Sequence, residues 1–156
     1  MTTKLFLHGL DSSGMGTKGR FFFEHYPDVE RPDFDGTLGQ RLDALREIVS
    51  DRDDLILIGS SFGGLMAACL ASEMPERIRR LVLLAPALNF HEYRPPKEKV
   101  SPETLLVIGK NDLTTPPDLV IPAAEASFSS LQISLVDDDH LLHNSFAQLD
   151  WDRLLS

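Results

Sequence analysis

A serine framed by two glycines, where an apolar run meets a run of small residues, is the part of this sequence best suited to chemistry. The segment 55–66 reads LILIGSSFGGLM and places Ser61 between Gly59 and Gly63. Glycines are required where a sharp turn brings backbone segments close, and such a turn holds a serine hydroxyl above the edge of a sheet. It also puts the serine at a helix N-terminus, where free N–H groups favour a developing oxyanion. The pattern predicts a nucleophilic serine.

Two further polar residues follow apolar runs and could complete such a site. Asp112 comes just after the run that ends at Gly109, and His140 lies in the loop after the last run, LQISLV. Open parallel sheets place their sites at the carboxyl ends of strands. A neutral serine hydroxyl is a poor nucleophile, so a base must take its proton and a carboxylate must orient the base. We therefore predict Ser61 as nucleophile, His140 as base and Asp112 as orienting acid.

Other interpretations of these residues stay open at this point. Ser61 could be an ordinary helix N-cap, and Asp112 could simply close a turn. His143 could replace His140 as the base, although we expect His143 to lie inside a helix. Residues 137–139 are three aspartates that could replace Asp112, but adjacent carboxylates are typical of a solvated loop, and a residue beside the base in sequence rarely reaches its ring.

The elements that must position these residues follow from alternating apolar and amphipathic segments, a pattern that predicts an α/β fold with a mostly parallel sheet. We predict six strands, at Lys4–Leu7, Val29–Pro32, Leu55–Gly59, Leu81–Ala85, Leu105–Gly109 and Gln132–Val136. We predict five helices, at Thr17–Tyr26, Leu38–Ser50, Ser61–Met74, Pro117–Phe128 and Leu142–Leu154. The prolines and charges of 86–102 indicate an excursion rather than a second domain, so we expect one domain over 1–156.

Composition narrows the classes of partner. The net charge of −9 and the pI near 4.9 argue against nucleic acid and anionic membranes, which are bound chiefly through Lys and Arg clusters. One cysteine, Cys69, excludes an internal disulfide, and its place in a predicted helix suggests a small buried hydrophobe. No metal-ligand spacing such as HExxH occurs, and neither a signal peptide nor a membrane-length run opens the chain. We expect a cytoplasmic protein that needs no metal or cofactor, with its oligomeric state left open.

From end to end, the chain resembles the α/β-hydrolase superfamily. The resemblance rests on the GSSFGG turn, on the order Ser61, Asp112, His140, and on the segment FLHGLD at the end of the first strand, which resembles the loop that supplies one oxyanion-hole donor. It implies that the N–H groups of Leu10 and Phe62 bind the oxyanion beside Gly9. His8 is expected to brace that loop.

The opening LHGLDSSGMGTKG, the short length and the GSSFGG turn are most similar to the small bacterial YqiA-type esterases. The chain departs from larger members of the superfamily because it lacks a pair of strands ahead of the first strand and a long cap after Ala85. The resemblance implies a serine esterase that forms an acyl-enzyme on a small-molecule ester. Without a cap, we expect a shallow pocket shaped by the loops 10–17 and 86–93, and hence short acyl chains. A thioesterase with the same residues, or a catalytically silent ligand-binding protein, is the alternative.

Overall fold

Five parallel strands form the centre of the protein, whose structure, a computed structural model, describes residues 1–156. The strands are β1 (Thr3–Leu7), β2 (Leu55–Ser60), β3 (Ile78–Leu84), β4 (Glu103–Gly109) and β5 (Leu131–Val136). Their order in the sheet is their order in the chain, and each neighbouring pair is parallel. Such strands are buried on both faces, which explains their nearly continuous apolar sequences. The predicted α/β fold is confirmed.

The helices cover both faces of the sheet. They are α1 (Thr17–His25), α2 (Leu38–Ile48), α3 (Phe62–Glu73), α4 (Pro117–Ser127) and the single turn α5 (Trp151–Leu154), with short 3₁₀ turns at Pro75–Arg77 and Phe146–Gln148. One core contains Leu42, Leu65 and Val120 from α2, α3 and α4. The other contains Phe22 from α1 and Trp151 from α5. None of these helices is long and apolar enough to cross a membrane.

A reversal of chain direction places α1 on the opposite face of the sheet from α2, α3 and α4. After α1 the chain pairs at Glu30 with Leu5, on the free edge of β1, and the later connections run the other way across the sheet. Because crossovers between parallel strands are right-handed, connections of opposite direction put their helices on opposite faces. Ligand sites of open α/β sheets lie where the direction reverses, here between the carboxyl ends of β1 and β2. Ser61 directly follows β2.

The predicted strand Val29–Pro32 is wrong in extent. Only Glu30 pairs with β1, through its N–H to the Lys4 carbonyl and its carbonyl to the Phe6 N–H. Pro32 lacks an N–H and cannot continue a ladder. The sheet therefore has five strands and one bridge rather than six strands.

The predicted helix Leu142–Leu154 is also wrong. The chain there forms a loop, a 3₁₀ turn and the short α5. Leu142 has a positive φ of 55°, and the N–H groups of Asn144 and Ser145 donate to the Asp138 carboxylate instead of to helical carbonyl groups.

The segment 86–102 is a short excursion without a large cap, as predicted. A 2.6 Å hydrogen bond between the Tyr93 and Ser127 hydroxyl groups holds it against α4.

Candidate active site

Ser61 lies on a strained turn between β2 and α3. Its φ of 54° and ψ of −114° are unfavourable for a side-chain-bearing residue, a strain of about 1–3 kcal/mol that surrounding contacts must hold. The Ser61 N–H donates to the Leu84 carbonyl at 2.9 Å, and the Ser61 carbonyl accepts from the Ala87 N–H at 2.9 Å. The glycine frame is sterically required, because a Cβ on Gly59 would collide with the Gly63 carbonyl and one on Gly63 with backbone at the end of β1.

Ser61, His140 and Asp112 form one hydrogen-bonded chain, although they follow three different strands. The Ser61 hydroxyl oxygen lies 3.1 Å from His140 Nε2, and His140 Nδ1 lies 2.7 Å from Asp112 Oδ2. The Asp112 side chain is fully buried, while that of His140 is 22% exposed. A base within hydrogen-bond reach of a hydroxyl and of an orienting carboxylate is the geometry that proton transfer requires.

Asp112 both closes a turn and faces the imidazole. Its Oδ1 accepts hydrogen bonds from the Thr114 N–H at 2.9 Å and the Thr115 N–H at 2.8 Å. Its Oδ2 accepts from the Thr115 hydroxyl at 2.7 Å and faces His140. The two interpretations of Asp112 left open by the sequence are therefore compatible, since the turn is what orients the carboxylate.

Two backbone N–H groups beside Ser61 have no acceptor within the protein. Phe62 is the first residue of α3, and neither its N–H nor that of Leu10 donates to another protein group. Gly9, which precedes Leu10, lies so close to Ser61 that an added Cβ would be 3.6 Å from the Ser61 Cβ. Free donors next to a serine hydroxyl can stabilise an oxyanion that forms there.

His8 braces the Gly9 loop, as predicted from the sequence. It is 1% exposed, and its Nε2 lies 2.8 Å from the Phe34 backbone nitrogen. Because an N–H can only donate, Nε2 must be the unprotonated nitrogen. Nδ1 then carries the proton and donates it to the Gly9 carbonyl at 2.7 Å. The two hydrogen bonds of the His8 ring fix the loop that precedes the Leu10 N–H.

A cleft of about 850 Å³ opens over Ser61 and His140. Its apolar walls are α1, with Phe21, and the segment that follows β5, with Leu141 and Phe146. Leu10, from the loop between β1 and α1, also lines it. Leu10 and Leu141 are 52% and 54% exposed, so the walls near the mouth cover a ligand only in part. The expectation that 86–93 shapes this cleft is wrong, because that loop packs Phe90 against Phe62 instead.

Lys18 joins the two walls of the cleft. Its ammonium donates to the Leu141 carbonyl at 2.8 Å and lies 5.5 Å from the centre of the Phe146 ring. Burial lowers the pKa of Lys18, against the opposing influence of the nearby Asp139 and Asp138 carboxylates. Since Leu141 follows His140 in sequence, Lys18 also ties α1 to the loop that carries the imidazole.

Comparison with known proteins identifies the family. A family model described as the α/β hydrolase fold matches residues 35–127, more than half of the chain. The chain belongs to the α/β hydrolases. Phytyl ester synthase 1 of Arabidopsis thaliana chloroplasts is 32% identical over an alignment of 125 residues that covers 73% of this chain. The chain spans only 18% of the length of that relative.

Solved structures share the fold over nearly the whole chain. Mouse α/β hydrolase domain-containing protein 10 has a TM-score of 0.79 and 18% identity, with 99% of this chain and 90% of that chain covered. Monoacylglycerol lipase of Paleococcus ferrophilus has a TM-score of 0.72 and 15% identity, with 99% of this chain and 96% of that chain covered. At such identities the likeness concerns the fold alone.

The competing residues of this hydrolase do not join the Ser61 chain of hydrogen bonds. His143 is 61% exposed at its side chain and pairs with Asp139, whose Oδ2 lies 2.6 Å from His143 Nδ1. It lies in a loop rather than in the expected helix. Asp137 is exposed, and Asp138 points into its own loop. Burial raises the pKa of the Cys69 thiol to about 11, so it is protonated at neutral pH and a poor nucleophile.

Asp138 is a structural residue that the sequence interpretation missed. It is only 5% exposed, although three consecutive aspartates suggested a solvated loop. Its Oδ1 accepts from the Asp139 N–H, and its Oδ2 accepts from the Asn144 and Ser145 N–H groups at 3.0 and 2.8 Å. Burial by itself would raise the pKa of Asp138, but hydrogen bonds from Ser145, Asp139 and Asn144 outweigh it and lower the pKa below 3.8. Asp138 therefore anchors the loop that carries His140.

Asp138→Asn is expected to lower the free energy of unfolding by about 1–3 kcal/mol at neutral pH, because an amide NH₂ replaces an oxygen that faces N–H donors. The pKa of Asp138 is lower in the folded than in the unfolded protein. Its carboxylate therefore stabilises the fold at pH values above the unfolded pKa, and this stabilisation is lost as the pH falls through the folded pKa. Urea unfolding of the wild type and the variant at about pH 7 and pH 3 measures the loss of stability and its dependence on pH. The exposed Asp137→Asn is the control, expected to stay within about 0.5 kcal/mol. The same difference between wild type and Asp138→Asn at both pH values would contradict the assignment.

Proposed function

We propose that this hydrolase is a serine esterase that cleaves small carboxylic esters through an acyl-enzyme. The observation that carries the proposal is the continuous hydrogen-bonded chain from Ser61 through His140 to the buried Asp112. Phe62, the residue after Ser61, and Leu10, which follows Gly9 beside Ser61, each have an N–H group without an acceptor in the protein. This arrangement supplies a nucleophile, a base, an orienting acid and oxyanion donors together. A silent binding protein has no physical need for all four.

The geometry supports a two-step reaction. His140 Nε2 takes the Ser61 proton as the oxygen attacks the ester carbonyl, and the tetrahedral oxyanion accepts hydrogen bonds from the Leu10 and Phe62 N–H groups. The oxyanion then re-forms the carbonyl group, and the bond between the acyl carbon and the alcohol oxygen breaks as His140 gives its proton to the alcohol oxygen. Water attacks the acyl-enzyme with the same proton transfers and releases the acid and free Ser61. Asp112 stabilises the imidazolium in both steps and does not itself take up the proton.

The cleft favours short neutral esters. Each buried methylene contributes about 0.8 kcal/mol only while apolar wall covers it, and the half-exposed Leu10 and Leu141 end that cover at the mouth. Two acids, Asp11 and Glu24, and two bases, Lys18 and Arg20, line the cleft, so it offers no excess positive charge to a polyanionic leaving group. The net charge of −9 acts further against such a group. The names of two similar proteins, a phytyl ester synthase and a monoacylglycerol lipase, also fit ester chemistry.

A series of p-nitrophenyl esters measured beside acyl-coenzyme A thioesters tests this proposal. We expect kcat/KM to be highest for acyl groups of roughly two to six carbons, and higher for these esters than for any coenzyme A thioester. A preference for palmitoyl esters would contradict the short-chain assignment. A preference for coenzyme A substrates would instead support the thioesterase alternative, and the absence of all hydrolysis would support a binding protein.

A further inference from the structure

Thr115 lies at the point where the loops after β3, β4 and β5 meet. The residue is 1% exposed, and its hydroxyl oxygen lies 2.7 Å from Asp112 Oδ2, 3.2 Å from His140 Nδ1 and 3.3 Å from the Ala85 carbonyl oxygen. Ala85 itself is held at a positive φ of 45°, with its N–H donating to the Val107 carbonyl at 2.8 Å. One buried hydroxyl therefore contacts a group from each of the three loops.

The single hydroxyl proton has a preferred acceptor. Asp112 Oδ2 is nearer than the Ala85 carbonyl and carries charge, so the Thr115 hydroxyl donates to the carboxylate. The lone pairs of Thr115 Oγ1 remain available toward His140. His140 Nδ1–H thus faces two oxygens, Asp112 Oδ2 and Thr115 Oγ1, which are themselves joined by a hydrogen bond.

We propose that the Thr115 hydroxyl is a positioning group for the hydrolytic site, which fixes the carboxylate and the imidazole against each other. The proposal rests on the proposed esterase function. The Thr114 and Thr115 N–H groups hold Asp112 Oδ1, and the hydroxyl holds Oδ2, so the carboxylate cannot rotate away from the imidazole. A donor to Oδ2 also disperses its charge and keeps the proton on His140 Nδ1 when the imidazolium forms.

Three substitutions separate the hydroxyl from the methyl group of Thr115. Thr115→Val removes the hydroxyl and leaves a side chain of similar shape, Thr115→Ala removes both groups, and Thr115→Ser removes only the methyl. We expect kcat/KM to fall by roughly 10-fold to 100-fold in the valine and alanine variants, mainly through kcat, and to recover in the serine variant. In Thr115→Val and Thr115→Ala, the acid limb of the plot of kcat/KM against pH should move to higher pH. The reason is that the Asp112 carboxylate, with one hydrogen-bond donor fewer, attracts the His140 imidazolium more strongly.

Thr104→Val is the matched control. Thr104 is also 1% exposed, and its hydroxyl donates to the Pro102 carbonyl at 2.9 Å, but it lies near the amino end of β4, away from the cleft. The control therefore loses a buried threonine hydroxyl without touching the site. We expect its kcat/KM and pH profile to match those of the wild type, even if its stability falls.

A measurement that needs no substrate keeps this proposal distinct from the proposed function. The exchange of the His140 Nδ1 proton with water, followed by NMR, should be slow in the wild type and in Thr115→Ser, and several-fold faster in Thr115→Val and Thr115→Ala. A wild type without esterase activity would remove the proposed function, and the exchange rates would still test Thr115. An unchanged pH profile and exchange rate in Thr115→Val, or equal losses in Thr115→Ser and Thr115→Ala, would overturn the positioning role.

Discussion

Ser61→Ala is expected to reduce ester hydrolysis by roughly four to six orders of magnitude, because it removes the hydroxyl that we propose forms the covalent bond to the acyl carbon. The fold should remain intact, since Ser61 is held by backbone hydrogen bonds to Leu84 and Ala87 that alanine can also make. Hydrolysis of p-nitrophenyl acetate measures the loss. A fluorophosphonate probe should label the wild type on the peptide that contains Ser61, and it should not label the variant.

Ser72→Ala is the control for this change. Ser72 lies at the far end of α3, and its hydroxyl donates to the Ala68 carbonyl at 3.0 Å, so its loss should leave both labelling and turnover near wild-type levels. Near-wild-type turnover in Ser61→Ala, or attachment of the probe to a different residue, would end the serine-esterase proposal.

His140→Ala should be nearly as severe as Ser61→Ala, because the Ser61 hydroxyl would lose its only proton acceptor within 3.1 Å. Residues that act as one unit have effects that do not add, so the double variant should be about as inactive as either single variant. His143→Ala should cause a much smaller loss, since His143 pairs with Asp139 at the surface. Steady-state kcat/KM of the wild type and the four variants, with folding checked by circular dichroism, tests the ranking.

A larger loss in His143→Ala than in His140→Ala would transfer the role of base to His143. It would require the loop after β5 to rearrange, because His140, not His143, now faces Ser61. Activity in the Ser61→Ala/His140→Ala double variant far below that of both single variants would show that Ser61 and His140 act independently.

The amino-acid sequence correctly predicted the ends of several strands and the turn at Ser61, which depend on short residue patterns. The strands ending at Leu7, Gly109 and Val136 were predicted with correct carboxyl ends, because buried parallel strands are continuous apolar runs that stop at glycine or polar residues. Ser61 was found in the same way, since a tight strand-to-helix turn needs glycines at set positions. Because both chemical candidates Asp112 and His140 directly follow strands, parallel topology was enough to bring them to the same edge.

The errors occurred where side-chain contacts or the lack of a neighbouring strand decide the backbone conformation. Residues 142–154 have a helical apolar pattern, but the Asp138 carboxylate captures N–H groups that a helix would have used. The expected strand around Glu30 had no partner beyond β1 and reduced to a bridge. A charge that looks solvated in sequence can be buried when N–H groups converge on it, as they do on Asp138, and no local pattern reveals that convergence.

By itself, the sequence determined the α/β fold and identified Ser61, Asp112 and His140 as candidate site residues. This was possible because strand burial, turn geometry and the order of elements depend on residue type and spacing. Only the tertiary structure shows that His140 faces Ser61 while His143 pairs with Asp139 at the surface. It also decided the walls of the cleft and the contacts of the Thr115 hydroxyl with Asp112, His140 and Ala85. These depend on atoms placed within about 3 Å of one another by strands far apart in the chain, and hydrogen bonds are effective only over such distances.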